Sequence, residues 1–129
     1  SIGLSFSLNM ICDDIRQCYN NTYICSDNSC NLLCKNIQSC KDSTFICNGT
    51  LDGTSKNECN ITCTDQGSCD SLNIISNNYG ITKVTCNNIA NNCNGINIDC
   101  IGSGFNNECE LTCSNALSCY NGNIRCDMG

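Results

Sequence analysis

Apolar and polar residues alternate one by one along much of this chain. From Ser1 to Met10 the sequence SIGLSFSLNM sets Ile2, Leu4, Phe6, Leu8 and Met10 between small residues, the period of a strand with one face to bury. The same period of two recurs in short apolar-x-Cys pieces, among them Met10-Ile11-Cys12, Tyr23-Ile24-Cys25, Leu32-Leu33-Cys34, Phe45-Ile46-Cys47 and Ile61-Thr62-Cys63. Helical spacing is not sustained anywhere, so the pattern predicts an all-β chain of many short strands.

The strands are organised as a repeat. Cys30 to Cys47 (CNLLCKNIQSCKDSTFIC) sets four cysteines at gaps of three, five and six residues; Cys109 to Cys126 has the same gaps, and Cys59 to Ser76 keeps them with serine last. Two incomplete copies, with Leu8 and Thr82 in place of the first cysteine, bring the total to five. Aligned on the second cysteine, the copies start at Cys12, Cys34, Cys63, Cys86 and Cys113, 22 to 29 residues apart. Repeats of this length built from short strands are the signature of a solenoid. The expected architecture is a disulfide-stapled β-helix of about five turns over residues 10–129, preceded by an extended strand at 1–9. Length varies only in the connections between copies, at 26–29, 48–58, 77–81 and 101–108. A β-helix tolerates this because loops can bulge from one edge without disturbing stacked strands. One extra residue between Cys86 and Cys93 leaves the register of the fourth turn open.

Defects in the repeat assign the cysteines. Every copy keeps its second and third, which pairs Cys12 with Cys18, Cys34 with Cys40, Cys63 with Cys69, Cys86 with Cys93 and Cys113 with Cys119. The fourth position of one copy and the first of the next are both cysteine at Cys25 and Cys30, Cys47 and Cys59, and Cys100 and Cys109. At the remaining junction both are lost together, as Ser76 and Thr82. Paired loss is what a shared bond predicts. Bonding of first to fourth inside one copy fails, because Cys59 would lack a fourth and Cys100 a first. Bonds between equal positions on stacked turns fit the strand spacing of about 4.8 Å, but leave an odd cysteine in each column of five. Eight bonds follow, with Cys126 left over: an unpaired buried thiol, or one bonded outside the repeat or beyond Gly129. Each short loop closed this way constrains the unfolded chain by about 2–3 kcal/mol in the chain-entropy model.

Composition narrows the function. Seventeen cysteines in 129 residues mark a disulfide scaffold and an oxidising compartment, so an extracellular, secreted protein is expected. With no initiator Met, no basic leader and no apolar run near the ~20 residues of a membrane helix, the chain reads as a mature soluble product without membrane insertion. A net charge of −6, with six scattered Lys and Arg, argues against nucleic acid as partner. Proline is absent and asparagine is abundant. Asn20-Asn21-Thr22, Asn48-Gly49-Thr50 and Asn60-Ile61-Thr62 fit the N-glycosylation acceptor, so covalent N-glycans are expected at Asn20, Asn48 and Asn60.

The same residues exclude most chemistry. Without His, CxxC or CxC the cysteines do not read as a metal site, and no His is present to activate a Cys or Ser nucleophile. Adjacent Asp13 and Asp14 would point to opposite faces of a strand, and no cluster of acids and bases of the kind a polysaccharide-cleaving β-helix needs is visible. Neither a calcium-binding nonapeptide, an EF-hand loop nor a regular threonine array is present. The expectation is a non-enzymatic protein with no catalytic residues, cofactor or metal.

What remains is architectural. A β-helix exposes an unpaired strand edge at each end, and the sequence carries no polar cap. Ile2, Leu4, Phe6 and Leu8 form a strand that either adds to the end of a neighbouring subunit or starts the first turn of its own solenoid. Ile24, Ile46 and Ile75, followed by Asp99 and Arg125, should face outward as a lateral contact or lie under the connection at 48–58. Asn9, Asn31 and Asn60 should form an amide ladder. Over residues 8–126 the pattern apolar-x-Cys-x(4)-[Ser/Gln]-Cys-x(4)-apolar-x-Cys resembles the Cys- and Asn-rich β-helical repeats of proteins secreted or displayed by unicellular eukaryotes. The resemblance implies an extracellular structural or adhesive role. The functional expectation is a filament subunit whose partner is itself, assembling head to tail; the alternative is a monomeric carbohydrate-binding or adhesive module.

Overall fold

The computed structural model describes residues 7–15, 17–26, 29–48, 57–77, 80–87, 91–101, 108–115 and 117–127, with backbone placement alone for Ser7, Leu8, Cys126 and Asp127. The chain runs through β1 (Ser7–Cys12), β2 (Thr22–Cys25), β3 (Ser29–Cys34), β4 (Thr44–Cys47), β5 (Glu58–Cys63), β6 (Asn73–Ser76), β7 (Ile81–Cys86), β8 (Asn97–Ile101), β9 (Glu108–Cys113) and β10 (Asn123–Asp127). Odd strands stack in the order β1-β3-β5-β7-β9 and even strands in the order β2-β4-β6-β8-β10. Every pairing is parallel. Because consecutive strands belong to different sheets, the chain winds as a β-solenoid. Ten strands make five coils, about four full turns where about five were expected.

The repeat sets the register. In the first sheet Met10, Leu32, Ile61, Val84 and Leu111 align, as do Cys12, Cys34, Cys63, Cys86 and Cys113. In the second sheet Tyr23, Phe45, Ile74, Ile98 and Ile124 align. A slip of one residue would turn these rows to solvent, so burial of one face locks the pairing. From β3 to β8 burial alternates along every strand. The interior is a narrow stack of aliphatic side chains and disulfides, with Phe45 its largest member. The fourth coil keeps register despite its extra residue: β8, which follows it, pairs residue for residue with β6 and β10. The buried Asn92 amide ties the longer arc inward by donating to the carbonyls of Cys63 (2.8 Å) and Asn87 (3.0 Å).

A third stack joins the sheets. The arcs that carry the third cysteine bond coil to coil, with Cys40 N donating to Ser68 O (2.7 Å), Cys69 N to Asn92 O (2.8 Å) and Cys93 N to Ser118 O (2.8 Å). Two residues after that cysteine, Asn20, Asp42, Ser71, Gly95 and Asn121 have φ of 52°, 58°, 53°, 72° and 59°. The left-handed region at this corner favours Gly, Asn and Asp, which explains part of the asparagine content. Just inside the corner, Leu72 and Ile96 are fully buried where other coils have Asn21, Ser43 and Gly122. Gly122 makes room for Ile96, since a Cβ there would lie 3.1 Å from Ile96 Cγ2. Gly80 meets a harder limit: a Cβ would lie 1.8 Å from Asn57 O, the carbonyl that Ile81 N bonds at 2.9 Å.

The boundary expected between residues 9 and 10 falls inside β1. Ser7, Leu8 and Asn9 pair with Ser29, Cys30 and Asn31, so they belong to the first coil of their own solenoid.

Candidate functional site

The coils hold disulfides at Cys12–Cys18, Cys25–Cys30, Cys34–Cys40, Cys47–Cys59, Cys63–Cys69, Cys86–Cys93, Cys100–Cys109 and Cys113–Cys119, with Cα separations of 5.8 to 6.5 Å. These are the eight pairs that the defects of the repeat assign. Where both cysteines are missing, the buried hydroxyls of Ser76 and Thr82 bond to each other at 2.5 Å. Cys126 lies in β10 opposite Cys100; its side chain is outside the described residues. Sulfurs of neighbouring coils approach within 4.8 Å in three groups, Cys12/Cys18/Cys40, Cys34/Cys63/Cys69 and Cys63/Cys86/Cys93. All are already bonded in disulfides, which withholds the thiolate that a metal would need.

Each sheet has an ordered outer face. On the first, Asn31 donates to Asn9 Oδ1 (2.9 Å) and Asn60 to Asn31 Oδ1 (3.2 Å). Beside this ladder run Ile11, Leu33, Thr62, Thr85 and Thr112, so three threonines align in one rank that the sequence pattern did not reveal. A trough of about 340 Å³ lies over Asn9, Asn31, Asn60, Ile11, Leu33 and Thr62. On the second sheet a further ladder runs through Asn73, Asn97 and Asn123, with both amide bonds at 3.2 Å. Its neighbour is the row Ile24, Ile46, Ile75, Asp99 and Arg125, in which Arg125 Nε meets Asp99 Oδ1 at 3.1 Å. The ladder and the Asp99–Arg125 end of this row border a trough of about 490 Å³. Asparagine is so common in this chain that only the register separates a ladder from a turn residue.

The three glycosylation acceptors differ in setting. Asn20 is exposed just before β2, and Asn48 is exposed just after β4, where its Oδ1 accepts from Asn77 (3.4 Å). Asn60 is half-buried in β5, and its amide nitrogen is engaged in the ladder. One acid stands out. Asp70 is held above the usual carboxylate range by burial, which outweighs the Asn94 N–H it accepts (2.9 Å) and nearby Lys41; Asp42 adds to the rise.

The end coils are less covered than the interior. In β9, Cys109 and Leu111 are half-buried and Cys113 is exposed, and Ile124 of β10 is 45% exposed, whereas the aligned Ile98 is at 2%. In the first coil Met10, Cys18 and Tyr23 are also half-buried. Among the described residues no further strand lies over either end. Of the strand expected to reach a neighbour, Leu8 sits in β1 opposite Cys30, while Ile2, Leu4 and Phe6 lie outside the described residues. Compared with known protein families, curated proteins and solved structures, the chain matches none.

Proposed function

We propose that the chain is a non-enzymatic, structural subunit of an extracellular, N-glycosylated filament that grows by stacking the first coil of one copy on the last coil of the next. The observation that carries this reading is the opened interior of the last coil, where Leu111 and Ile124 end columns that are closed everywhere inside. The first coil of a second copy offers the continuation: Met10 would follow Leu111 and Tyr23 would follow Ile124, as at each internal junction. The contact joins two different surfaces and does not close, so it propagates. Eight disulfides support an oxidising, extracellular setting.

Native material examined by light scattering and negative-stain microscopy should contain filaments. Five coils at about 4.8 Å each give a subunit repeat of roughly 24 Å. Leu111→Lys with Ile124→Lys should yield folded monomers, and wild-type protein that remains monomeric at high concentration rules the reading out. The amide ladders favour a second reading as a carbohydrate-binding surface. Asn73, Asn97, Asn123, Asp99 and Arg125 set hydrogen-bonding groups at regular steps along one trough. Glycan-array binding that Asn97→Ala abolishes in a monomeric protein would favour it.

A further inference from the structure

We infer that Asn48 carries an N-linked glycan whose first N-acetylglucosamine packs over the isoleucine rank of the second sheet. The inference rests on the glycosylated, secreted reading above and assigns a task to one of its glycans. Ile24, Ile46 and Ile75 align across β2, β4 and β6 on the outer face. Ile24 is 62% exposed and the other two are half-buried, so together they leave an apolar strip along the solenoid axis. Three apolar side chains stacked in one continuous strip, rather than scattered singly, call for a cover.

The cover is placed by the strand period. Asn48 follows Ile46 by two residues, which puts it on the same outer face about 6.6 Å away along the chain. The Asn77 amide donating to Asn48 Oδ1 at 3.4 Å fixes Asn48 in the column beside the isoleucines, one coil from Asn77. Asn48 is exposed, and its own Nδ2 donates no hydrogen bond among the described residues. That nitrogen is the atom glycosylated in an Asn-x-Thr acceptor, and Asn48-Gly49-Thr50 is one. In the transfer, Nδ2 bonds to C1 of the sugar and loses a proton. The C1–O bond to a lipid pyrophosphate donor breaks, and the pyrophosphate leaves with the electron pair. The attached pyranose then presents its C–H face and acetamido methyl to Ile46 and Ile24. The other acceptors are placed differently: Asn60 faces outward from the first sheet with its amide engaged, and Asn20 lies at the corner four residues before Ile24.

The test uses the full chain secreted from a eukaryotic host. Peptide mass mapping reads occupancy at Asn48, and bis-ANS fluorescence reads the exposed strip. An endoglycosidase that leaves one N-acetylglucosamine should not change dye binding, because the first sugar suffices. Thr50→Ala and Asn48→Gln, both lacking the glycan, should raise it about twofold. Adding Ile24→Ser and Ile46→Ser to either should return it to the starting level. An unmodified Asn48 overturns the inference. So does unchanged dye binding in monomeric Thr50→Ala, which would mean that the glycan is not what covers the strip. Dye binding that falls only at concentrations where light scattering reports association assigns the cover to a second copy and overturns it as well. Filament formation is scored separately by microscopy, and the lateral position of Asn48 leaves end-to-end stacking intact in both variants.

Discussion

Between the third and fourth coils, Ser76 and Thr82 occupy the place that three other junctions give to a disulfide, and their hydroxyls satisfy each other inside the core. A buried hydroxyl without a partner costs about 1–3 kcal/mol, so the two hydroxyls at this junction depend on each other. Ser76→Cys with Thr82→Cys should therefore form a ninth bond closing a short loop and gain about 1 kcal/mol. That gain is the chain-entropy term less one hydrogen bond. Intact mass should show the loss of two hydrogens and calorimetry a higher Tm, whereas Ser76→Cys alone should lower Tm. A second residue-scale prediction concerns Asp70. Its carboxyl is held above its usual 3.8, so between that value and the folded one the folded chain binds more proton than the unfolded chain. Its contribution to stability is fully present below pH 3.8 and is lost as pH rises through the folded value. Asp70→Asn can still accept the Asn94 N–H and carries no charge. Melting curves should place the variant above wild type at pH 7 and level with it near pH 3.

At the scale of the strand and the arc, two kinds of element follow different rules. The strands were legible because apolar-x-Cys repeats with a period of two and inward cysteines mark the buried face. The arcs have no such period; what they share is a left-handed corner two residues past the third cysteine, filled by Asn, Asp, Ser or Gly. A β-branched side chain is costly there, so Asn121→Val should destabilise by about 1–2 kcal/mol while Asn121→Gly stays within a few tenths. Asn121 is exposed, so packing does not confuse the comparison, and urea denaturation of the two variants decides it. The arcs also explain what sequence reasoning missed. Leu72 and Ile96 are core residues, yet Asn21, Ser43 and Gly122 at the same position hide them from any apolar pattern. The ladder of Asn73, Asn97 and Asn123 was hidden differently, by the abundance of asparagine in turns. The cysteine pairs were legible because paired loss at Ser76 and Thr82 carries information that spacing alone does not.

On the scale of the whole molecule, each coil bonds, among the described residues, only to the coils beside it, so stability is carried by nearest-neighbour contacts and differs between the middle and the ends. Cys63 and Cys69 are fully buried, and Cys63 sits within 4.8 Å of sulfurs in both adjoining coils. Removing that bond as Cys63→Ala with Cys69→Ala deletes a link and leaves voids on both sides, a loss of about 3–5 kcal/mol. Hydrogen exchange should then accelerate throughout β3 to β8. Cys113 is exposed and Cys119 half-buried, so Cys113→Ala with Cys119→Ala removes little packing and costs about 2 kcal/mol. Faster exchange should be confined to β9, β10 and the arc between them, since among the described residues no further coil stacks on that one. This asymmetry separates folding from assembly. If filaments grow by stacking on the last coil, the end variant should keep the circular dichroism and main melting transition of wild type yet form no filaments, because the surface that receives the next subunit has frayed. An end variant that frays by hydrogen exchange and still assembles at the wild-type rate would place the growing contact elsewhere on the solenoid.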